Sequence, residues 1–292
     1  MKVDEINIRD PYILPYKDKY YLYGTRSATC WGSADGFDCY VSDDLYNWEG
    51  PIEIFHKPKD FFANESYWAP ECYFYKDEFY LVTTLGASDR KKGIYILKSQ
   101  NPDGPFSFYS GPLTPVDWAS IDGTLYFDEE KIYLIFSHSF EDNPNGDMCV
   151  LELSKDLKSA IGNPIKLFSA SEASWAKPVP FAEKEFGVKG DVYFTDGPFV
   201  MKLDNKSLLI IWSSWSKSGY AIGQAVCKSG SIFGPWEQIE KPLFKENGGH
   251  GMLFKTHDGE FKYVLHFPND LYKERPIFKD ILLKDNGIQI LE

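Results

Sequence analysis

Three aspartates and one histidine stand at the head of a phrase that the chain repeats five times. Arg9-Asp10-Pro11-Tyr12-Ile13-Leu14-Pro15-Tyr16, followed by Tyr20-Tyr21-Leu22-Tyr23, is echoed by Ala69-Pro70-Glu71-Cys72-Tyr73-Phe74-Tyr75, followed by Phe79-Tyr80-Leu81. Ile121-Asp122-Gly123-Thr124-Leu125, Thr195-Asp196-Gly197-Pro198-Phe199 and Gly249-His250-Gly251-Met252-Leu253 open the other three copies. The leading position then holds Asp10, Ala69, Asp122, Asp196 and His250, at separations of 59, 53, 74 and 54 residues. One such Asp would mean little, because Asp favours turns. Three in one register argue for chemistry, since carboxylates are seldom buried together without a partner or a task. Two carboxyl groups facing across a polar well are the apparatus of glycoside hydrolysis: one activates water or attacks carbon, and the other protonates the leaving oxygen. A third can tune the acid, because like charges raise one another's pKa.

Each copy is an apolar alternating segment, a polar turn and a second apolar segment, which is the pattern of a β-hairpin. Five copies divide the 292 residues into units of about 58, long enough for several strands each, and so read as propeller blades. The expected fold is all-β, a five-bladed β-propeller forming a single domain over residues 1–292. The innermost strand of each blade would line a central channel, so the leading residues would meet on one axis. Gly/Pro/Asn clusters at 49–51, 101–105, 161–164 and 233–236 read as blade boundaries. The longest step contains an insertion, 167–190, with Trp175, Pro178 and Pro180, read as a wall of the binding pocket. A short helical turn is expected between Pro178 and Gly187.

The formal net charge of −12, with no run of Lys or Arg, argues against nucleic acid and anionic membranes as partners. No apolar run is long enough to span a bilayer. No apolar leader precedes the first copy, although a leader removed from a precursor would leave the same sequence. The natural location therefore stays open between the cytoplasm and a secreted or periplasmic site. Five scattered cysteines match no metal spacing and read as free thiols.

Arg9-Asp10-Pro11, Tyr67-Trp68-Ala69-Pro70, Ser120-Ile121-Asp122-Gly123, Asp196-Gly197-Pro198 and Gly249-His250-Gly251, in this order, resemble glycoside hydrolase family 43. The resemblance spans essentially the whole chain. It implies a five-bladed propeller that hydrolyses plant cell-wall glycans with inversion, chiefly as an α-L-arabinofuranosidase or β-D-xylosidase. Carried over by position, Asp10 is the general base, Asp122 the carboxylate that raises the acid's pKa, and Asp196 the general acid. The family usually has Glu before that Gly-Pro, so Asp196 is one methylene short. Glu172, beside Trp175 in the insertion, is the substitute candidate. In the family the histidine at the position of His250 often contacts a cation or its water shell. A structural Ca²⁺ in the central channel is thus an expectation, with no cofactor required for the chemistry itself. Ca²⁺ prefers oxygen ligands, so a hydrogen-bonded channel histidine stands slightly ahead of a metal contact as the reading of His250.

Trp31, Trp68, Trp118 and Trp175 are candidate platforms for the C–H face of a sugar, Trp68 and Trp175 foremost, and an oligosaccharide or polysaccharide is the expected partner. Two other readings compete. A fructan-cleaving propeller would use an Arg-Asp-Pro and a Glu-Cys pair such as Glu71-Cys72, but needs a nucleophilic Asp upstream, where only Asp4 stands without the usual neighbours. A carbohydrate-binding propeller that lost catalysis would explain the shortened Asp196.

Overall fold

A computed structural model of the chain describes residues 1–129 and 131–291. They form five four-stranded antiparallel sheets, each built from consecutive strands. The first blade is β1 (Ile8–Tyr16), β2 (Lys19–Arg26), β3 (Gly36–Ser42) and β4 (Glu49–His56). The second is β5 (Glu65–Tyr75), β6 (Glu78–Ala87), β7 (Arg90–Ser99) and β8 (Ser107–Ser110). The third is β9 (Ser120–Asp128), β10 (Lys131–His138), β11 (Asp147–Leu153) and β12 (Ala160–Ser169). The fourth is β13 (Asp196–Lys202), β14 (Leu208–Ser216), β15 (Gly219–Cys227) and β16 (Glu237–Gln238), and the fifth is β17 (Gly249–Lys255), β18 (Phe261–Phe267), β19 (Arg275–Lys284) and β20 (Gly287–Ile290). β1, β5, β9, β13 and β17 neighbour one another in a closed circuit, so the fold is the expected five-bladed propeller.

Middle strands read as continuous apolar runs because both faces pack on neighbouring blades. Leu208-Leu209-Ile210-Ile211-Trp212 of β14 is buried throughout. Its alternate residues serve two different layers: Leu208, Ile210 and Trp212 pack against Tyr133, Ile135 and Val150 of the third blade. Leu209 and Ile211 pack against Leu253 and Leu265 of the fifth. The core is thus a series of layers between blades. Outer strands face water on one side, and β12 is largely exposed. All five cysteines are buried and free.

The Gly/Pro clusters do not separate blades. Gly50-Pro51 lies at the start of β4, Asn101–Pro105 precedes β8, residues 161–164 lie within β12 and Gly234-Pro235 precedes β16. They mark entry into the outermost strand, where Pro costs no ladder hydrogen bond on the exposed edge. Within 167–190 the expected helical turn is α1 (Ala182–Phe186).

Among the described residues no strand is shared between the first and fifth blades, and the ring closes through contacts that each involve a side chain. Arg9 pairs with Glu274 at 2.8 Å, Asn7 Nδ2 donates to the Glu274 carbonyl, and Arg275 Nε donates to the Asp4 carbonyl. Among the described residues no helix is long and apolar enough to cross a membrane.

Candidate active site

The first strand of every blade carries a bulge at the same place. Register against the second strand breaks after Arg9, Trp68, Ile121, Asp196 and Gly249. The residue that follows each break is left-handed: Asp10 (φ 53°), Ala69 (47°), Asp122 (56°), Gly197 (48°) and His250 (43°). Non-glycine residues adopt this conformation uncommonly, and it concentrates at functional sites. The structural equivalent of Asp10 and Asp122 in the fourth blade is therefore Gly197, which corrects the register read from the sequence. Asp196 stands one residue earlier, level with Arg9, Trp68, Ile121 and Gly249. Gly197 has a steric reason to lack a side chain, since a Cβ there would lie 2.6 Å from His250 Cγ.

Each bulged residue is latched to the preceding blade through its backbone N–H. Asp10 donates to His266 Nδ1 (3.2 Å), Ala69 to Thr25 Oγ1 (2.8 Å), Asp122 to Thr84 Oγ1 (2.9 Å) and His250 to Ser213 Oγ (2.9 Å). The fourth latch differs. Ser137, the counterpart of Thr25, Thr84 and Ser213, donates to the Thr195 carbonyl, and Gly197 N–H donates to Asp122 Oδ2 at 3.3 Å. Asp122 thereby serves as a latch as well as a carboxylate of the site.

The three aspartates converge on one imidazole nitrogen. His250 Nδ1 lies 3.3 Å from Asp10 Oδ1, 3.6 Å from Asp122 Oδ2 and 3.1 Å from Asp196 Oδ1. Contacts of 3.3 and 3.1 Å to one atom keep these Asp10 and Asp196 oxygens within about 6.4 Å, below the roughly 6.5–9.5 Å found between the carboxyl groups of inverting enzymes. Asp10 Oδ2 also accepts the Thr25 hydroxyl at 2.6 Å, and Asp196 Oδ2 accepts the Tyr220 hydroxyl at 2.6 Å.

Electrostatics separate the groups. Burial disfavours a charged His250, but the three carboxylates outweigh it and raise its pKa to about 10, so it is an imidazolium at neutral pH. His266 goes the other way. Burial, with Arg9 and His250 nearby, lowers it to about 3 and keeps it neutral, able to accept the Asp10 N–H. Burial and the adjacent Asp196 push Asp122 well above the carboxylate range. Asp196 is partly buried, which opposes ionisation, but hydrogen bonds from Asp122, His250 and Tyr220 overcome that and hold it below its usual value. Of the two, Asp122 is the one that binds a proton more readily.

These groups form the floor of a cavity of ≈570 Å³. One side carries Arg9, Trp31, Trp68 and Lys92. Trp68 donates its Nε1–H to the Cys30 carbonyl at 2.7 Å and meets Trp31 edge to face at 5.3 Å. The other side is aromatic: Phe140, Phe181, Phe186, Phe194 and Trp215. Phe181 and Phe186 come from the insertion, so that segment does supply a wall. Two of its residues expected at the site are elsewhere. Trp175 is 7% exposed and packs on Trp212 (ring centres 4.9 Å apart) against Gly223, where a Cβ would lie 2.2 Å from its ring. Trp175 is therefore a core residue, admitted because Gly223 leaves space. Glu172 is exposed at the end of a short 3-10 turn, accepting the Ser169 N–H, and does not line the cavity. Trp118 stacks on His138 (4.0 Å, 5°), away from the cavity. Glu71 lies on β5 below the floor, buried and outside the cavity lining.

The donors that meet near one point are Asp122, Asp196 and His250. This set fits Ca²⁺ poorly: it offers two carboxylates and one imidazole nitrogen, where Ca²⁺ takes six to eight oxygen ligands. The chemistry is accordingly derived from the side chains. Tyr220, Thr25, Arg9 and His266 are site residues that the repeat reading missed. All flank the leading position, and Thr25 and His266 hold the rung of β2 and β18 opposite Arg9 and Gly249.

Comparison with known proteins agrees with this geometry. Residues 3–279 match the family model described as Glycosyl hydrolases family 43. An endo-arabinase from Bacteroides thetaiotaomicron is 35% identical, with a TM-score of 0.88 over 98% of each chain. An endo-1,4-beta-xylanase from the same organism is 27% identical, with a TM-score of 0.74 over 98% of this chain and 95% of that one. An alpha-L-arabinofuranosidase from Lactobacillus brevis is 18% identical, with a TM-score of 0.73 over 99% and 97%; it shares the fold. No curated protein matches. A family model matching nearly the whole chain, on a propeller with its carboxylates gathered at one channel mouth, makes this protein a glycoside hydrolase of family 43.

Proposed function

We propose that the protein hydrolyses arabinose- or xylose-containing plant cell-wall glycans with inversion, and that Asp10, Asp122 and Asp196 act as general base, acid modulator and general acid. Arabinose linkages come first, because the 35% identical neighbour is an endo-arabinase. The observation that carries the reading is the meeting of three aspartates around His250 at the floor of one sugar-sized cavity.

Asp10 is oriented by the Thr25 hydroxyl and the His250 imidazolium on its carboxylate and by His266 on its backbone N–H, so its free lone pairs can take a proton from water. Asp196 is more open than Asp122, with side-chain exposures of 18% and 6%, and is therefore better placed to meet a leaving oxygen. The proton that Asp122 binds more readily must pass to Asp196 as the substrate separates the carboxylates from His250. Asp122 then becomes the anion whose charge keeps that proton on Asp196 until the bond breaks. The imidazolium compensates the negative charge of the set throughout.

The test compares Asp10→Ala, Asp122→Ala and Asp196→Ala on an arabino-oligosaccharide and a nitrophenyl glycoside. An aryl leaving group needs little protonation, so Asp196→Ala should lose far more on the oligosaccharide. Asp10→Ala should fail on both, by about 10²-fold or more. Equal losses for Asp196→Ala on both substrates would remove it from the acid role. Proton NMR of the first-formed anomer reads the stereochemistry.

A further inference from the structure

Asp196 has a shorter side chain than the glutamate usual at its position, and something must hold it in place. We propose that Tyr220 is the positioning residue of the general acid, selecting which carboxyl oxygen carries the transferable proton, and that position 249 is glycine to admit the Tyr220 ring. The proposal rests on reading Asp196 as the acid.

A phenol has one proton, and Tyr220 gives it to Asp196 Oδ2 at 2.6 Å. That oxygen is thereby fixed as an acceptor. Oδ1 faces His250 Nδ1 at 3.1 Å, and once the substrate parts the two it is the oxygen left to bear a proton. The ring cannot swing away. It stacks between Phe194 (6.2 Å, 9°) and His266 (5.6 Å, 16°), with Trp215 at 6.5 Å. The fourth side is closed by backbone: a Cβ on Gly249 would lie 2.4 Å from Tyr220 Cε1. Gly249 is absent from the left-handed positions, so its backbone would accept other residues and the constraint is space. The same rung in other blades holds Arg9, Trp68, Ile121 and Asp196, all with side chains on the cavity. Burial raises the Tyr220 phenol well above 10, so it remains a donor across the working range.

Donation to a carboxylate favours its ionised form, which sets the sign of the pH test. Loss of the hydroxyl in Tyr220→Phe should raise the Asp196 pKa and move the basic limb of kcat/KM to higher pH. The misplaced acid should lower kcat on an arabino-oligosaccharide by about 10- to 100-fold, with a few-fold change at most on a nitrophenyl arabinofuranoside. Gly249→Ala should show the same split between substrates by displacing the ring, and thermal melts check that both variants fold. Equal losses on the two substrates with an unmoved limb, or no loss in either variant, would overturn the positioning role. Asp196→Asn, assayed alongside, separates the two levels. Full oligosaccharide activity in that variant sinks the acid assignment and this proposal with it. An inactive Asp196→Asn beside an unaltered Tyr220→Phe sinks the positioning role alone.

Discussion

Replacing Glu71 by Gln should reverse its effect on stability between pH 4 and pH 8. Glu71 lies on β5, two residues past the Ala69 bulge, buried beneath the site with the Tyr73 hydroxyl donating to it. Burial raises its pKa from 4.5 to about 7, against the opposing pull of hydrogen bonds from Tyr73 and Thr124. A folded pKa above the unfolded one means full stability below about pH 4.5, lost progressively as pH rises to about 7 and constant thereafter. The shift corresponds to about 3 kcal/mol once Glu71 is ionised. Gln carries no such burden but fits the acceptor site less well, at about 1 kcal/mol. Glu71→Gln should therefore be less stable than the parent by about 1 kcal/mol at pH 4 and more stable by about 2 kcal/mol at pH 8. Urea unfolding of both proteins at the two pH values measures this. A difference that is the same at both would refute the burial argument.

Trp68→Ala should raise KM by about 10-fold with kcat little changed, because a stacking surface serves ground and transition states alike. Trp175→Ala should instead lower stability by about 3–5 kcal/mol and leave KM of the folded fraction unaltered, as its ring fills the core beside Trp212. Treatment with a chelator should leave kcat/KM unchanged, since the donors gathered at His250 suit Ca²⁺ poorly. Activity lost to the chelator and regained with Ca²⁺ would give the channel a metal after all.

The blade count and the convergence of Asp10, Asp122, Asp196 and His250 were legible because a cyclic repeat converts equal sequence positions into neighbours in space. The register of the fourth copy was readable too, from a finer mark. Pro11, Pro70, Gly123, Pro198 and Gly251 each follow the bulged residue, and aligning on them puts Gly197 in line. The carboxylate at 196, one residue earlier, lies out of that line and masks it. Blade boundaries were misplaced for a different reason: Gly-Pro pairs mark the exposed outer edge, where a missing N–H is harmless. Trp175 and Glu172 show the limit of the method. Whether a loop tryptophan faces a pocket or a core depends on the space left by Gly223, some fifty positions away. Tyr220 was hidden likewise, since its partner is fixed by blade curvature and by Gly249.

Closure of the ring through side-chain contacts has an outcome for how the molecule fails. Asp10 and His250 belong to the first and last blades, on opposite banks of the join that Arg9–Glu274 spans without any common ladder. Parting there would disperse the catalytic groups while every four-stranded sheet stayed intact. Mild denaturant should consequently silence the enzyme before circular dichroism registers any loss of β-structure.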